Sequence, residues 1–355
     1  MIFNRKKGAI EMSFTWIFIL VGGAVFLLFF VFLIKGMTSS SEREVSYAVG
    51  QNIDTVLRNT MKSPNTYKDL QIPDMDITFE CDSVLGISNY EIGKSGMTQP
   101  TDELAIFTVK DFKGPEMHAW NQEFVLGYKI TDLLMLNDGR SQFVFVEDTT
   151  GYAQELYDQF PLDDDVELDQ RKLKIMSATT DIASTPFERT VFITVNGEHD
   201  VGPPSDSKSE NVRIDIEPFS YGLDGDGAVH FYYDDGGSWM SDGSSAYLTR
   251  PVLWAAIFSE NAASFNCNMD KTMERFQFLT ILAEKRREQI REAVGSDHDC
   301  YALYVTPEVS FQVYLEQIGN QVYKDMDVGV VWNEYLNLER DNDDLLRGRN
   351  CPPVY

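Results

Sequence analysis

The string Asp224-Gly-Asp226-Gly, followed by Asp234-Asp235, has the residue types that bind calcium: hard carboxylate oxygens set among turn-forming glycines. Counted as an EF-hand from Asp224, position six is Val229 where Gly is needed, and position twelve is Asp235 where Glu is needed. What remains is a looser Ca²⁺ site built from Asp224, Asp226, Asp234 and Asp235, set against a plain acidic turn before a strand. No other cofactor is expected. Ser88–Ser95 ends like a phosphate-binding loop, but Ser88 stands where the first glycine belongs and no clear helix follows. Asp148-Thr149-Thr150 follows a strand-like run, where a metal-binding Asp-x-Ser-x-Ser loop would sit. Tyr152 fills that loop's last position, so a helix cap is expected there instead. His118, His199, His230 and His298 are widely spaced, with no Gly-x-Ser-x-Gly or His-Glu-x-x-His around them. Nothing nominates a nucleophile, and no enzymatic activity is expected.

Four cysteines, Cys81, Cys267, Cys300 and Cys351, all lie in the C-terminal nine-tenths of the chain. An even count without Cys-x-x-Cys spacing points to two disulfides and an oxidising compartment rather than to zinc. Three pairings are possible. Proximity in sequence favours Cys267 with Cys300, across one helix, which leaves Cys81 for Cys351.

The elements that must hold these residues begin with Met12–Ile34, 23 residues without a charge. A helix of about 20 apolar residues crosses a bilayer core, so a transmembrane helix is expected over 12–34 behind a basic leader, 1–11. By the positive-inside rule, Arg5, Lys6 and Lys7 place the N-terminus in the cytoplasm and the remainder outside. Ser41 and Glu44 fit a capping box, and Val45, Val49, Ile53, Val56 and Met61 recur at helical spacing. A continuation helix is therefore expected over 41–63.

Around the leader, RKKGAIEMSFTW resembles the class III signal peptide of archaeal type IV pilin-like proteins. The resemblance is confined to the N-terminal segment. It implies cleavage by a prepilin peptidase between Gly8 and Ala9, with the apolar stretch kept on the mature protein. It also implies self-assembly through the first helix, with Glu11 pairing to a neighbouring subunit's N-terminal amine. Glu11 would be mature position three, whereas the bacterial pattern has its acid at position five.

Beyond residue 70 the pattern is mixed. DITFEC (76–81), LAIFTV (104–109), QFVFVE (142–147), RTVFITVN (189–196), VRIDIE (212–217) and AVHFYY (228–233) read as strands, and a helix is expected near Thr150. Residues 199–210 and 234–245 read as loops. From Ala246 the pattern is helical, over 246–260, 268–294 and from Thr306-Pro307-Glu308 to about Arg347, with a break near Asp327–Gly329. The expected fold is an α/β or α+β head, mixed over 70–245 and helical over 246–355, on a long N-terminal transmembrane helix.

The chain's 355 residues carry 56 Asp+Glu against 30 Lys+Arg, a net charge of −26. Residues 1–35 carry Arg5, Lys6, Lys7 and Lys35 against Glu11, a net of +3, which leaves −29 for residues 36–355. Such a surface excludes nucleic acid as a partner, because phosphate binding needs clustered cations. Asp outnumbers Glu and Lys is scarce, a balance that suits a head solvated in high salt. Together these features predict a single-pass, membrane-anchored cell-surface protein with a structural or adhesive role in a filament or envelope complex. The alternative is a membrane-tethered extracytoplasmic enzyme or binding protein.

Overall fold

A computed structural model describes residues 7–63, 65–72, 74–82, 87–93, 98–101, 105–160, 173–177, 187–197, 202–203, 210–219, 225–305, 308–319, 323–348 and 351–354. Helix α1 (Lys7–Met61) is one continuous element, whose side chains are described over 19–32, at 47 and from 49 on. The separate continuation helix expected from Ser41 is thus absorbed into it. No proline lies between residues 34 and 41, and Gly36 costs only about 1 kcal/mol relative to Ala within a helix.

The expectation of a transmembrane helix over 12–34 is corrected: among the described residues, no helix is long and apolar enough to cross a membrane. With it fall the single-pass topology and the membrane-anchored or membrane-tethered function.

Fourteen strands follow in the described chain, as β1 (Thr66–Gln71), β2 (Ile77–Asp82), β3 (Ile87–Ile92), β4 (Thr98–Pro100), β5 (Ala105–Phe107), β6 (Asp111–Phe112), β7 (Glu116–Leu126), β8 (Tyr128–Asn137), β9 (Ser141–Val146), β10 (Leu173–Met176), β11 (Arg189–Val195), β12 (Glu210–Pro218), β13 (Gly227–Asp234) and β14 (Trp239–Tyr247). Helix α2 (Tyr152–Gln159) follows β9. After β14 come α3 (Arg250–Phe258), α4 (Ala262–Val294), α5 (Glu308–Gly319) and α6 (Val328–Gly348). The protein is therefore mixed α/β with a helical C-terminal layer, as its patterning predicts.

The strands form three sheets, ordered β1-β7-β8-β5, β4-β3-β2-β6 and β10-β9-β11-β12-β13-β14. In the largest, β10, β9, β11 and β12 run parallel, and β13 and β14 extend it antiparallel. The central parallel strands β9 and β11 are buried at every position, as strands covered on both faces are. Gly227 begins β13 where an added Cβ would come within 2.5 Å of the Glu217 carbonyl and the Tyr247 ring, so no larger residue fits.

Two cores result. The larger lies between the six-stranded sheet and one face of β7–β8. It encloses α3, whose seven residues Val252–Phe258 are all buried. Trp120 and Trp254 meet edge to face there at 5.1 Å. The smaller core gathers Ile53 and Leu57 of α1 with Ile77, Tyr90, Ile92, Phe112, Met117 and Leu134, against the other face of β7–β8. Helix α4 starts on a capping box, with Asn261 accepting from the Ser264 N–H at 2.8 Å. It stops at Gly295, whose φ of 75° suits only glycine well.

Candidate functional site

The two halves of α1 stand in opposite environments. Its C-terminal half is built into the head. Gly50 lets the helix lie close to β3 and β4, since a Cβ there would meet Ile92 Cδ1 at 3.3 Å and Gln99 Cγ at 3.4 Å. The buried Tyr90 hydroxyl donates to the Gly50 carbonyl at 3.0 Å. Asn121, fully buried on β7, donates from Nδ2 to the carbonyls of Thr60, Met61 and Ser63 at 3.0–3.2 Å. One side chain thus ties the end of the helix and the turn that follows it to β7.

The N-terminal half has no such cover. Phe26, Leu27, Leu28, Phe29, Phe30, Val31 and Phe32 are consecutive and all exposed, Phe32 to 74%. At 100° per residue, seven consecutive apolar residues surround the helix rather than forming one stripe, and a helix apolar all round must be buried by something. Cβ atoms added at Gly22 and Gly23 meet nothing within 4 Å, so neighbouring backbones have open access there.

A second feature is a charged cleft of about 210 Å³ at the amino ends of β9, β11 and β12. Arg140 binds Asp138 through Nε at 2.6 Å, reaches Glu188, and donates to the Asp111 carbonyl at 2.8 Å. Arg189, 6% exposed, donates to the carbonyls of Ser259 and Glu260 at 3.2 and 2.9 Å. Burial lowers its pKa, opposed by Glu210, Glu260 and Asp138. Burial raises the Glu260 carboxyl above the ordinary range, offset in part by Arg189 and by the Lys110 N–H, which it accepts at 2.8 Å. The lining residues include no His and no Cys. The cleft brings charges from three chain segments together, with Arg140 held by carboxylates and Arg189 by backbone carbonyls.

The opposite, carboxyl ends of β9 and β11 are where open parallel sheets bind ligands. Here Asp148 fills that position. It accepts the Ala153 N–H at 2.9 Å and the Thr150 N–H at 3.0 Å, and it bonds the Thr150 hydroxyl. Burial alone would raise its pKa, but these bonds outweigh it and the carboxyl titrates low. The expected cap is present, and it occupies the start of α2 with the chain's own carboxylate.

The calcium candidates do not converge. Asp224 lies outside the described residues. Asp226 and Asp234 stand at opposite ends of β13, roughly 25 Å apart along an extended strand. Asp234 is engaged by Asn211 at 2.9 Å and by the Gly237 N–H at 2.8 Å, in a turn that also includes Asp235. Among the described residues, no group of three or more His, Cys, Asp or Glu is placed to hold a metal ion. Gly8, Ala9 and Glu11 fall within α1, with side chains outside the described set. Of the loop resembling a phosphate site, Ser88–Ile92 lies in β3, paired antiparallel with β2, and Lys94 and Ser95 fall outside the described residues.

All four cysteines are in disulfides, but with a different pairing: Cys81–Cys267 and Cys300–Cys351. The expected Cys267–Cys300 bond is excluded by α4, which runs on from Cys267 to Val294 over roughly 40 Å before the chain turns toward Cys300. Instead Cys81 ties β2 to α4 across 186 residues of sequence, and Cys351 ties the C-terminal segment back beside α4's end.

One cluster escaped the sequence pattern altogether. His118 on β7 sits opposite Asp69 on β1, with Nδ1 to Oδ1 2.5 Å and the Tyr67 hydroxyl 2.9 Å from the same nitrogen. Only the β1–β7 pairing makes these three residues neighbours. No protein-family model, curated protein or solved structure matches this chain.

Proposed function

We propose that this protein is a non-enzymatic assembly subunit. In this reading the N-terminal halves of α1 from several copies pack side by side in parallel, each carrying its disulfide-stapled acidic head. The observation that carries the reading is the ring of uncovered apolar side chains from Ile19 to Phe32, on a helix whose other half is fastened to the head. A globular groove would cover one face of such a helix; several identical neighbours cover all of it. The resemblance of the leader to pilin-like signal peptides supports the same arrangement. Cleavage before Ala9 would set a free amine near Glu11 of a neighbour, and an apolar environment favours pairing that carboxylate. One further observation supports a role without catalysis: the cleft's arginines are committed to carboxylates and carbonyls. The two disulfides support an oxidising compartment.

The test compares the full chain with Phe29→Glu by sedimentation velocity at several salt concentrations. Oligomers of the natural chain and monomers of the variant, with equal melting temperatures, are expected. Monomers of both at every salt concentration, or flotation of a monomer with phosphatidylcholine vesicles, would overturn the reading.

A further inference from the structure

We infer that association through α1 is gated by ionic strength: the heads repel one another until salt screens them, and only then do the apolar halves pack. The inference rests on the parallel self-association proposed above and adds what controls it. The charge of the chain is divided very unevenly. Residues 1–35 carry a net of +3 and residues 36–355 carry −29. The described uncovered stretch reaches Phe32, and the seat on the head begins with Val49 and Gly50. Along a continuous helix that is roughly 25 Å, so parallel neighbours bring their heads side by side at the same end of the packed region. Packed helix axes lie only about 8–10 Å apart, far less than the width of a head, so the heads must crowd.

The exposed carboxylates of the part of the head that seats α1 include Asp74 and Asp76, between β1 and β2, and Glu116 at the start of β7. Screening decides whether they are felt. The Debye length is about 10 Å at 0.1 M salt and about 3 Å at 1 M, so head–head repulsion acts across the gap in the first case and not in the second. Apolar attraction between the helices does not depend on screening, so it prevails only where repulsion has been removed. An antiparallel pair would put the heads at opposite ends, roughly 70 Å apart along the axis, and would respond little to salt. Salt response therefore also reports the orientation.

The experiment is sedimentation velocity of the full chain from 0.05 to 2 M NaCl, with near-ultraviolet circular dichroism recorded on each sample. The expected result is a folded monomer at low salt and oligomers at high salt, with the dissociation constant falling by at least about a hundredfold. The triple variant Asp74→Asn/Asp76→Asn/Glu116→Gln should associate at lower salt than the natural chain. Equal association at every concentration overturns the gate and leaves self-association standing. So does association that follows sulfate over chloride over perchlorate at fixed ionic strength, because that order reports apolar salting-out. Loss of the folded head at low salt also overturns it, placing the salt dependence in folding. Monomers at every concentration remove both the gate and the assembly reading, a pattern distinct from the other three.

Discussion

The two halves of α1 share one backbone and differ in what covers them. From Gly50 to Met61 the helix is fixed by a close approach to β3, by the Tyr90 hydroxyl and by the three carbonyl bonds of Asn121, and it buries Ile53 and Leu57. From Ile19 to Phe32 it presents larger and more numerous apolar side chains to no part of its own head. More hydrophobic residues thus sit where the fold does not use them. In the seated half, apolar content stabilises one chain. In the bare half it can be satisfied only between chains.

The sharpest way to break this contrast is to truncate one leucine in each half. Leu57→Ala removes a fully buried side chain of the smaller core and should cost about 2–5 kcal/mol in denaturant unfolding followed by tryptophan fluorescence. Leu28→Ala, at a position 59% exposed, should change the same midpoint by less than about 0.5 kcal/mol. Equal costs at the two sites would mean that the bare half is covered within the monomer. Asn121→Ala should come next, at about 1–3 kcal/mol, because it removes three buried hydrogen bonds that tie the end of α1 to β7. Hydrogen exchange should then quicken in the last turn of α1 and leave α3 unchanged; faster exchange in α3 would show that Asn121 supports the whole head rather than the seat.

The smallest effect is expected far from α1, at Glu260 in the turn between α3 and α4. Burial raises its folded pKa above the ordinary value of 4.5, so the folded state holds the proton more tightly than the unfolded chain does. That contribution to stability is complete below 4.5 and is lost as pH rises through the higher folded value. Glu260→Gln keeps an acceptor for the Lys110 N–H and cannot ionise. Its melting temperature should exceed the natural chain's slightly at pH 7 and match it at pH 4. A variant less stable at pH 7 would show that the ionised carboxylate, through its attraction to Arg189, supports the fold.

The central strands of the largest sheet were legible in sequence because each is a short, dense apolar run. The runs at 142–147, 189–196, 212–217 and 228–233 lie in β9, β11, β12 and β13 with shifts of one or two residues. The long β7–β8 hairpin was not legible. Asn121, Gln122 and Glu123 interrupt β7, and Thr131 and Asp132 interrupt β8, so no apolar alternation marks either strand. Asn121 is polar because it serves a helix end 60 residues earlier, a reason that no local window contains. Residues 239–247, WMSDGSSAY, have the composition of a loop and form an edge strand because β13 offers them a partner. Asp148 was readable as a cap because its partners, Thr150 and Ala153, are within five residues.

The sequence by itself determined the acidic surface, the even cysteine count, the mixed strands followed by helices, and the concentration of apolar residues near the N-terminus. These follow from residue type and short-range spacing, which act without reference to the rest of the chain. Tertiary structure decided which cysteines meet, which half of α1 is seated, where the Arg140–Arg189–Glu260 cleft forms, and that Asp226 and Asp234 lie at opposite ends of a strand. Each of these joins residues far apart in sequence or fixes a distance that spacing leaves open. Such contacts form only when the burial of both cores offsets the entropy of closing the loops between them.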